Sequence, residues 1–441
     1  MMHPALRSRF LRASKVTGTS ASAAPPSARS VRRLLGQVSE RPWASPEKVL
    51  VVVTLYGGND GLSTVVPYDD GAYQDARPGL AYQVGEILDL GPGPGAGLGL
   101  NPAMTGLHAL WRTGRLAIVQ GVGYPNPSRS HFTSMDIWQT AAAAEPLYTG
   151  WLGRWLDLQE PADQDPLRAV SIGSVLPPML AGERASGAAV PLGAMPLPGR
   201  LRAKDVARLG RPDAGDPVVE SAVAASLCDF LTVRDTFDPV VRHWQQSTHG
   251  RRPDGGSLAT QLDFVAACVQ AGVSTRVYAV SLAGFDGHAD AKPTQSSLLA
   301  EVDTAVSRFL GRLDGAATTP TVLIYSEFGR RVAANDSHGT DHGTAGPVLV
   351  AGPAVRGGCY GERPNLRDLH DGDLKFTTDF RSVYSALLDS VLDTEPARVL
   401  GSQFPRLALL CPRTTVPAHG GGSDQGDQHR RAREAALPGD G

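Results

Sequence analysis

The chain has 441 residues, 41% of them hydrophobic, enough to build one large domain or two ordinary ones around a substantial core. Its 42 Lys and Arg against 44 Asp and Glu give a formal charge of −2, which excludes a global positive field for nucleic acid or an anionic membrane, so an anionic ligand has to be met locally. The four cysteines are widely spaced and form no C-x-x-C pair, which argues against a thiolate metal site and leaves disulfides and buried thiols equally open.

Residues 1–46 read as leader and linker. Arg7-Ser8-Arg9-Phe10-Leu11 resembles a twin-arginine export signal with its arginine pair split, and the stretch from Ser14 to Pro46 is rich in Ala, Ser, Pro and Arg without hydrophobic period. The expected location is extracytoplasmic, periplasmic or secreted, with the cytoplasm as the alternative. No apolar run approaches the roughly 20 residues of a membrane-spanning helix.

Folding starts at Glu47. The β-branched run from Val49 to Leu55 has the pattern of a strand buried on both faces of a parallel sheet, and similar runs at Leu116–Gln120, Arg276–Leu282, Thr321–Ser326 and Val348–Ala351 predict further strands. Amphipathic segments alternate with them at 101–112, 130–143, 258–271, 295–313 and 378–392; in the fourth, Leu298, Val302, Val306, Phe309 and Leu313 share one face. This alternation predicts a three-layer α/β/α sandwich over residues 47–412. The Pro- and Gly-punctuated stretch 157–256 reads as a variable insertion or cap over the sheet. Residues 413–441 carry Gly420-Gly421-Gly422 and too few apolar side chains to pack, which predicts a disordered tail.

Chemistry-bearing residues cluster where strands end, the edge at which open α/β sheets bind ligands. Asp60 stands in the Gly-rich turn Tyr56-Gly57-Gly58-Asn59-Asp60-Gly61. Arg129-Ser130-His131-Phe132 runs into a helix; Ser130 there reads either as a simple N-cap or as an attacking hydroxyl beside exposed N–H groups, with Arg129 to clamp an anion. Gly284-Phe285-Asp286-Gly287-His288 offers a carboxylate and an imidazole two residues apart, suited to a hard divalent ion or zinc. Glu327 follows the strand ending at Ser326, with Arg330 and Arg331 as ion-pair partners in the plainer reading. His338-Gly339-Thr340-Asp341-His342-Gly343 lies just before the strand at Val348. Acids and imidazoles recurring at five strand ends point to a metal centre.

These blocks, together with Ser326-Glu327-Phe328-Gly329-Arg330-Arg331 and Thr377-Thr378-Asp379-Phe380-Arg381, resemble the domain of unknown function 1501 family, which is itself similar to the alkaline phosphatase and sulfatase superfamily. The resemblance runs from about Val49 to Leu410. It implies an alkaline-phosphatase-like fold, a bacterial source, and one or two divalent ions (Zn, Mg, Mn or Ca), with Asp60 and Glu327 serving one and Asp286, His288 and His342 the other. Ser130 would be the nucleophile, assisted by Arg129 and His131. Glu327-Phe328 replaces the superfamily's usual Asp-His pair, which implies a weakened or missing second site, and Gly287 replaces its usual Thr. No C/S-x-P-x-R signature occurs, which disfavours a formylglycine sulfatase.

The function expected is metal-dependent hydrolysis of a small phosphate or related anionic ester. The alternative is a non-catalytic, metal-stabilised binding or structural protein on the same fold.

Overall fold

Residues 46–411 are described by a computed structural model, apart from 144–146, 160–164, 194, 198–201, 212–214, 216 and 248–255. The expected leader, except for Pro46, and the expected tail over 413–441 lie outside the described residues.

One sheet carries β1 (Lys48–Tyr56), β2 (Leu116–Gly123), β3 (Ala169–Ile172), β4 (Ala188–Val190), β5 (Val277–Ala283), β6 (Thr319–Ser326), β7 (Gly346–Ala351), β8 (Gly358–Tyr360) and β9 (Thr378–Asp379). Its order is β8-β2-β7-β6-β1-β5-β3-β4, with β9 added beside β2. The apolar run of β1 sits inside it, parallel to β5 on one side and β6 on the other. Its side chains alternate between two cores. Val49, Val51, Val53 and Leu55 pack with Phe264 of α5 (Gly256–Ala271) and Phe309 of α6 (Ala291–Arg312). On the other face Leu50 and Val52 join Trp138 of α2 (His131–Thr140), Trp151 of α3 (Trp151–Asp157) and Tyr384 of α7 (Phe380–Ser390). A strand buried on both sides needs helices on both sides, and the three-layer α/β/α sandwich follows. The first face also takes Leu107 of α1 (Thr105–Arg112) and Phe237 of α4 (Val218–Ser247).

β7 departs from the parallel pattern: it runs antiparallel to both β6 and β2. Its beginning therefore lies at the edge where β1, β2, β5 and β6 end, so the His342 loop, although it precedes its strand, reaches the same crevice as the loops that follow theirs.

Elsewhere the expected elements recur with shifted ends. Of the helix expected over 378–392, Thr378 and Asp379 pair with β2 instead, and Asp379 then caps α7 by accepting from the Arg381 N–H. Within the stretch 157–256, β3 and β4 extend the sheet beyond β5 and α4 follows them. The four cysteines are free thiols.

Candidate metal centre

The loops after β1, β5 and β6 touch because glycine lets them. Gly57 has φ +117°, and a Cβ there would strike the main chain of Phe285–Asp286. Gly58 has φ +74°, and a Cβ there would enter the Phe328 ring. Both conformations are ones that side-chain-bearing residues rarely adopt, so the Gly57-Gly58 turn is what allows the three strand ends to close on each other.

Within this crevice His131, the first residue of α2, meets Asp286 from the β5 loop and His342 from the β7 loop, three residues whose ligand atoms lie within 4.8 Å of one another. His131 Nε2 and His342 Nε2 are 3.1 Å apart. Asp286 Oδ1 is 3.1 Å from His342 Nε2 and 3.5 Å from His131 Nε2. His288 joins from the side, its Nε2 lying 2.9 Å from Asp286 Oδ1 and 3.0 Å from His342 Nε2.

The outer nitrogens of two rings fix where the protons are. His342 Nδ1 lies 2.8 Å from the Arg129 carbonyl, and His131 Nδ1 lies 2.8 Å from Glu327 Oε1. Both oxygens can only accept, so each Nδ1 carries a hydrogen, and in a neutral ring Nε2 then presents a lone pair. With both rings neutral, two lone pairs face each other beside the Asp286 carboxylate, and a cation among them would add its attraction to that of Arg330, whose NH2 already lies against Asp286 Oδ1. A tetrahedral zinc ion with bonds of about 2.0–2.1 Å would hold neighbouring donors about 3.3 Å apart, inside the observed spread. The donor set fits a divalent ion, and the backing of the rings by a carboxylate and a carbonyl is the arrangement that orients metal-bound histidines.

Asp286 is poised as an anion. Desolvation works to raise its carboxyl, but the hydrogen bond and charge of Arg330, chief among the opposing contacts, outweigh it and bring the group down to about 2. Arg330 is buried, with its NH2 2.6 Å from Asp286 Oδ1 and also facing the carbonyls of Gly57 and Phe285, while Nε donates to the Gly58 carbonyl and NH1 to that of Thr340. It thereby ties three of the loops together.

Asp60, Glu327, Arg129 and Ser130 have contacts of their own. Asp60 does not join the donors: its Oδ2 lies 2.6 Å from NH1 of Arg77, which is wholly buried, and accepts from Ser63 at 2.7 Å. Among the described residues Asp60 is thus held by Arg77 and Ser63 rather than grouped with His131, Asp286 and His342. Glu327, 1% exposed, uses both oxygens internally: Oε1 accepts from Gly57 N and faces His131, and Oε2 accepts from the Ser326 hydroxyl. It stands behind His131, and neither Arg330 nor Arg331 pairs with it. Arg129 points its guanidinium at the buried Asp373, its Nε lying 2.7 Å from Oδ2. Ser130 is the N-cap of α2, exposed, and makes no side-chain capping bond.

Sequence reasoning passed over Arg77, Asp373 and the role of Phe328. The Phe328 ring packs 4.8 Å from the His131 ring and 5.1 Å from that of His342, as an apolar wall of the site. Nothing local to Arg77 or Asp373 announces them, since their partners are 17 and 244 residues away. Beside Phe328 and Arg129 opens a cleft of about 720 Å³, also lined by Tyr124, Trp138, Asp373 and Phe376.

Comparison with known proteins gives three results. Residues 251–405 match the family described as "Protein of unknown function (DUF1501)", so the resemblance read from the sequence blocks holds over that stretch. No curated protein matches significantly. Among solved structures, Streptococcus pyogenes phosphoglycerol transferase GacH in complex with sn-glycerol-1-phosphate is similar at 7% identity, with 90% of this chain and 84% of that chain covered and a TM-score of 0.36. The C-terminal periplasmic domain of EcEptC from Escherichia coli is similar at 12% identity, with 86% and 96% covered and a TM-score of 0.32.

Proposed function

From the DUF1501 match over residues 251–405 and the convergence of His131, Asp286 and His342, we propose a metal-dependent hydrolase acting on a small phosphate or related anionic ester outside the cytoplasm. The observation that carries this reading is the pair of imidazole lone pairs and the Asp286 carboxylate facing one another, with both ring tautomers held from behind. His131, Asp286 and His342 would hold the ion, with His288 as a further donor. When bound, the ion supplies positive charge to the ester oxygens on which negative charge develops.

Ser130 is the attacking residue in this reading. Its hydroxyl precedes His131 at the positive end of α2 and is not engaged in capping. Attack would form the bond from Ser130 Oγ to the phosphorus as the ester bond to the organic group breaks, the hydroxyl proton passing to water and the leaving oxygen taking one from water; a second water then releases the phosphate and restores the Ser130 hydroxyl. Glu327 and the Arg129 carbonyl hold the two rings, and Phe328 keeps water from one side of them. The 720 Å³ cleft offers room for the organic group.

A non-catalytic, metal-stabilised protein is the second reading. It is favoured by Phe328 standing where the superfamily pattern has an imidazole. The test is turnover: protein loaded with zinc, magnesium, manganese or calcium hydrolyses an activated phosphate ester, and Ser130→Ala abolishes this while retaining the ion. Absence of any phosphomonoester, phosphodiester or sulfate ester hydrolysis by the loaded wild type removes the enzyme reading and leaves the second. Fractionation tests the location, and full-length protein in the cytosol with an intact N-terminus contradicts it.

A further inference from the structure

A small hairpin reaches both loops that bring histidines to the crevice. Leu369–His370 pairs antiparallel with Asp373–Leu374, across Asp371 and Gly372, whose φ values of +52° and +80° suit a two-residue turn. Its second strand makes both contacts. The Leu374 carbonyl accepts from the Thr344 hydroxyl at 2.6 Å, on the loop that carries His342. Asp373, its side chain 2% exposed, takes Arg129 Nε on Oδ2 at 2.7 Å and Arg129 NH2 on the same oxygen. Its Oδ1 makes no hydrogen bond among the described residues, Arg331 Nε lying 3.8 Å away.

Arg129 sits in a stretch with little else to fix it. Pro125, Asn126 and Pro127 are exposed, and Asn126 is left-handed at φ +54°. The N–H groups of Ser128 and Ser130 donate to the hydroxyls of Tyr124 and Ser128 at 3.1 and 3.2 Å. A carboxylate as buried as Asp373 has to be paired, so the ion pair holds Arg129 more firmly than these neutral bonds do.

What Arg129 does for the donor cluster, its main chain does. The carbonyl lies 2.8 Å from His342 Nδ1, while Asp286 Oδ1 lies 3.1 Å from Nε2 of the same ring. A neutral imidazole has one proton for these two acceptors. The carboxylate is intrinsically the stronger of them, and if it takes the proton, Nε2 has no lone pair for an ion. Arg330 already occupies Asp286 Oδ1 and weakens its claim. The other requirement is a carbonyl held in place.

We propose that Asp373 is a positioning residue of the site: through its ion pair with Arg129 it fixes the Arg129 carbonyl against His342 Nδ1 and so keeps His342 Nε2 free for a divalent ion. Asp373 itself touches neither ion nor reacting atoms. The proposal rests on the metal-dependent reading of the site, but the ring tautomer is measured without an ion.

The experiment is nitrogen NMR of the full chain labelled at its histidine nitrogens, at alkaline pH without added ion, followed by chelator competition for zinc. The His342 ring is identified by its loss in His342→Gln. Wild type is expected to hold it in the Nδ1–H form. In Asp373→Asn, which keeps the size of the side chain but not its charge, the Nε2–H form is expected to appear and zinc affinity to fall about tenfold. Arg129→Lys is expected to show the same changes to a smaller degree, and it decides by the same readings if Asp373→Asn does not fold. Arg367→Met, which breaks an exposed ion pair with Asp70 just before the hairpin, is expected to change neither, because lost stability alone does not move the tautomer of folded protein. A ring that stays Nδ1–H in folded Asp373→Asn overturns the proposal, as does a wild type already in the Nε2–H form. A tautomer change that leaves zinc affinity at the wild-type value overturns it too. If wild type binds no zinc while the tautomer shifts as expected, the metal-dependent reading fails and the positioning of His342 by Asp373 stands.

Discussion

Replacing Arg77 by methionine separates a structural role for Asp60 from a metal-binding one. Arg77 is wholly buried and supplies the ion pair to Asp60, together with hydrogen bonds to the carbonyls of Val332 at 2.9 Å and Arg331 at 2.8 Å. Removing one partner of a buried pair costs roughly 3–5 kcal/mol, and each abandoned carbonyl adds about 1–3 kcal/mol. Relaxation and water entry recover part of this, so Arg77→Met is expected to lose at least about 4 kcal/mol, much of the roughly 5–15 kcal/mol that holds a domain together. Urea unfolding followed by tryptophan fluorescence measures the loss. The pH dependence has a defined sign. Burial acts to raise the Asp60 carboxyl, but the Arg77 charge and the hydrogen bonds from Arg77 and Ser63 hold it below the ordinary 3.8. Asp60 therefore contributes stability that is fully present above pH 3.8 and is lost as pH falls through its lower folded value. In Arg77→Met burial is opposed only by Ser63 and the charge of Arg330, the carboxyl rises, and the gap between variant and wild type narrows in acid. A loss below about 1 kcal/mol, or a gap that widens in acid, refutes the buried-pair account.

Two further outcomes follow from the ring orientations and the cap. Glu327→Gln keeps the shape of the side chain but replaces the carboxylate that accepts from His131, so chelator competition is expected to show divalent-ion affinity about 10–100-fold weaker; unchanged affinity would mean that Glu327 does not orient the ring. Ser130→Ala is expected to change unfolding free energy by no more than about 0.5 kcal/mol, because no capping bond is made, and a loss of about 1 kcal/mol or more would show that the hydroxyl caps the helix in solution.

How much of this was legible in the sequence depended on the distance over which each feature is specified. β1 announced itself, since a run of valines buried on both faces has few other readings. β3 and β4 did not: AVSI and AAV are short, and in the Ala-rich, Pro-punctuated stretch 157–256 they show no period. The clusters holding Asp286 and His342 were visible as acid and imidazole at strand ends. The reversal of β7, which brings His342 into the crevice, leaves no mark in its own residues and depends on pairing with β2 and β6. Asp60 and Glu327 differ from Asp286 in contacts that their own stretches of sequence do not show. A carboxylate at a strand end looks the same in sequence whether it meets an ion, as Asp286 can, or a buried Arg77 or a histidine from another loop.

Ion content of the purified chain tests the central claim most directly. After equilibration with zinc, magnesium, manganese or calcium and removal of loosely held ions, elemental analysis is expected to find a divalent ion bound to wild type. It is expected to find that ion lost from His342→Ala and Asp286→Ala, and retained in whatever fraction of Asp60→Asn folds. Absence of any bound ion from folded wild type, or its retention by both His342→Ala and Asp286→Ala, contradicts the centre described here.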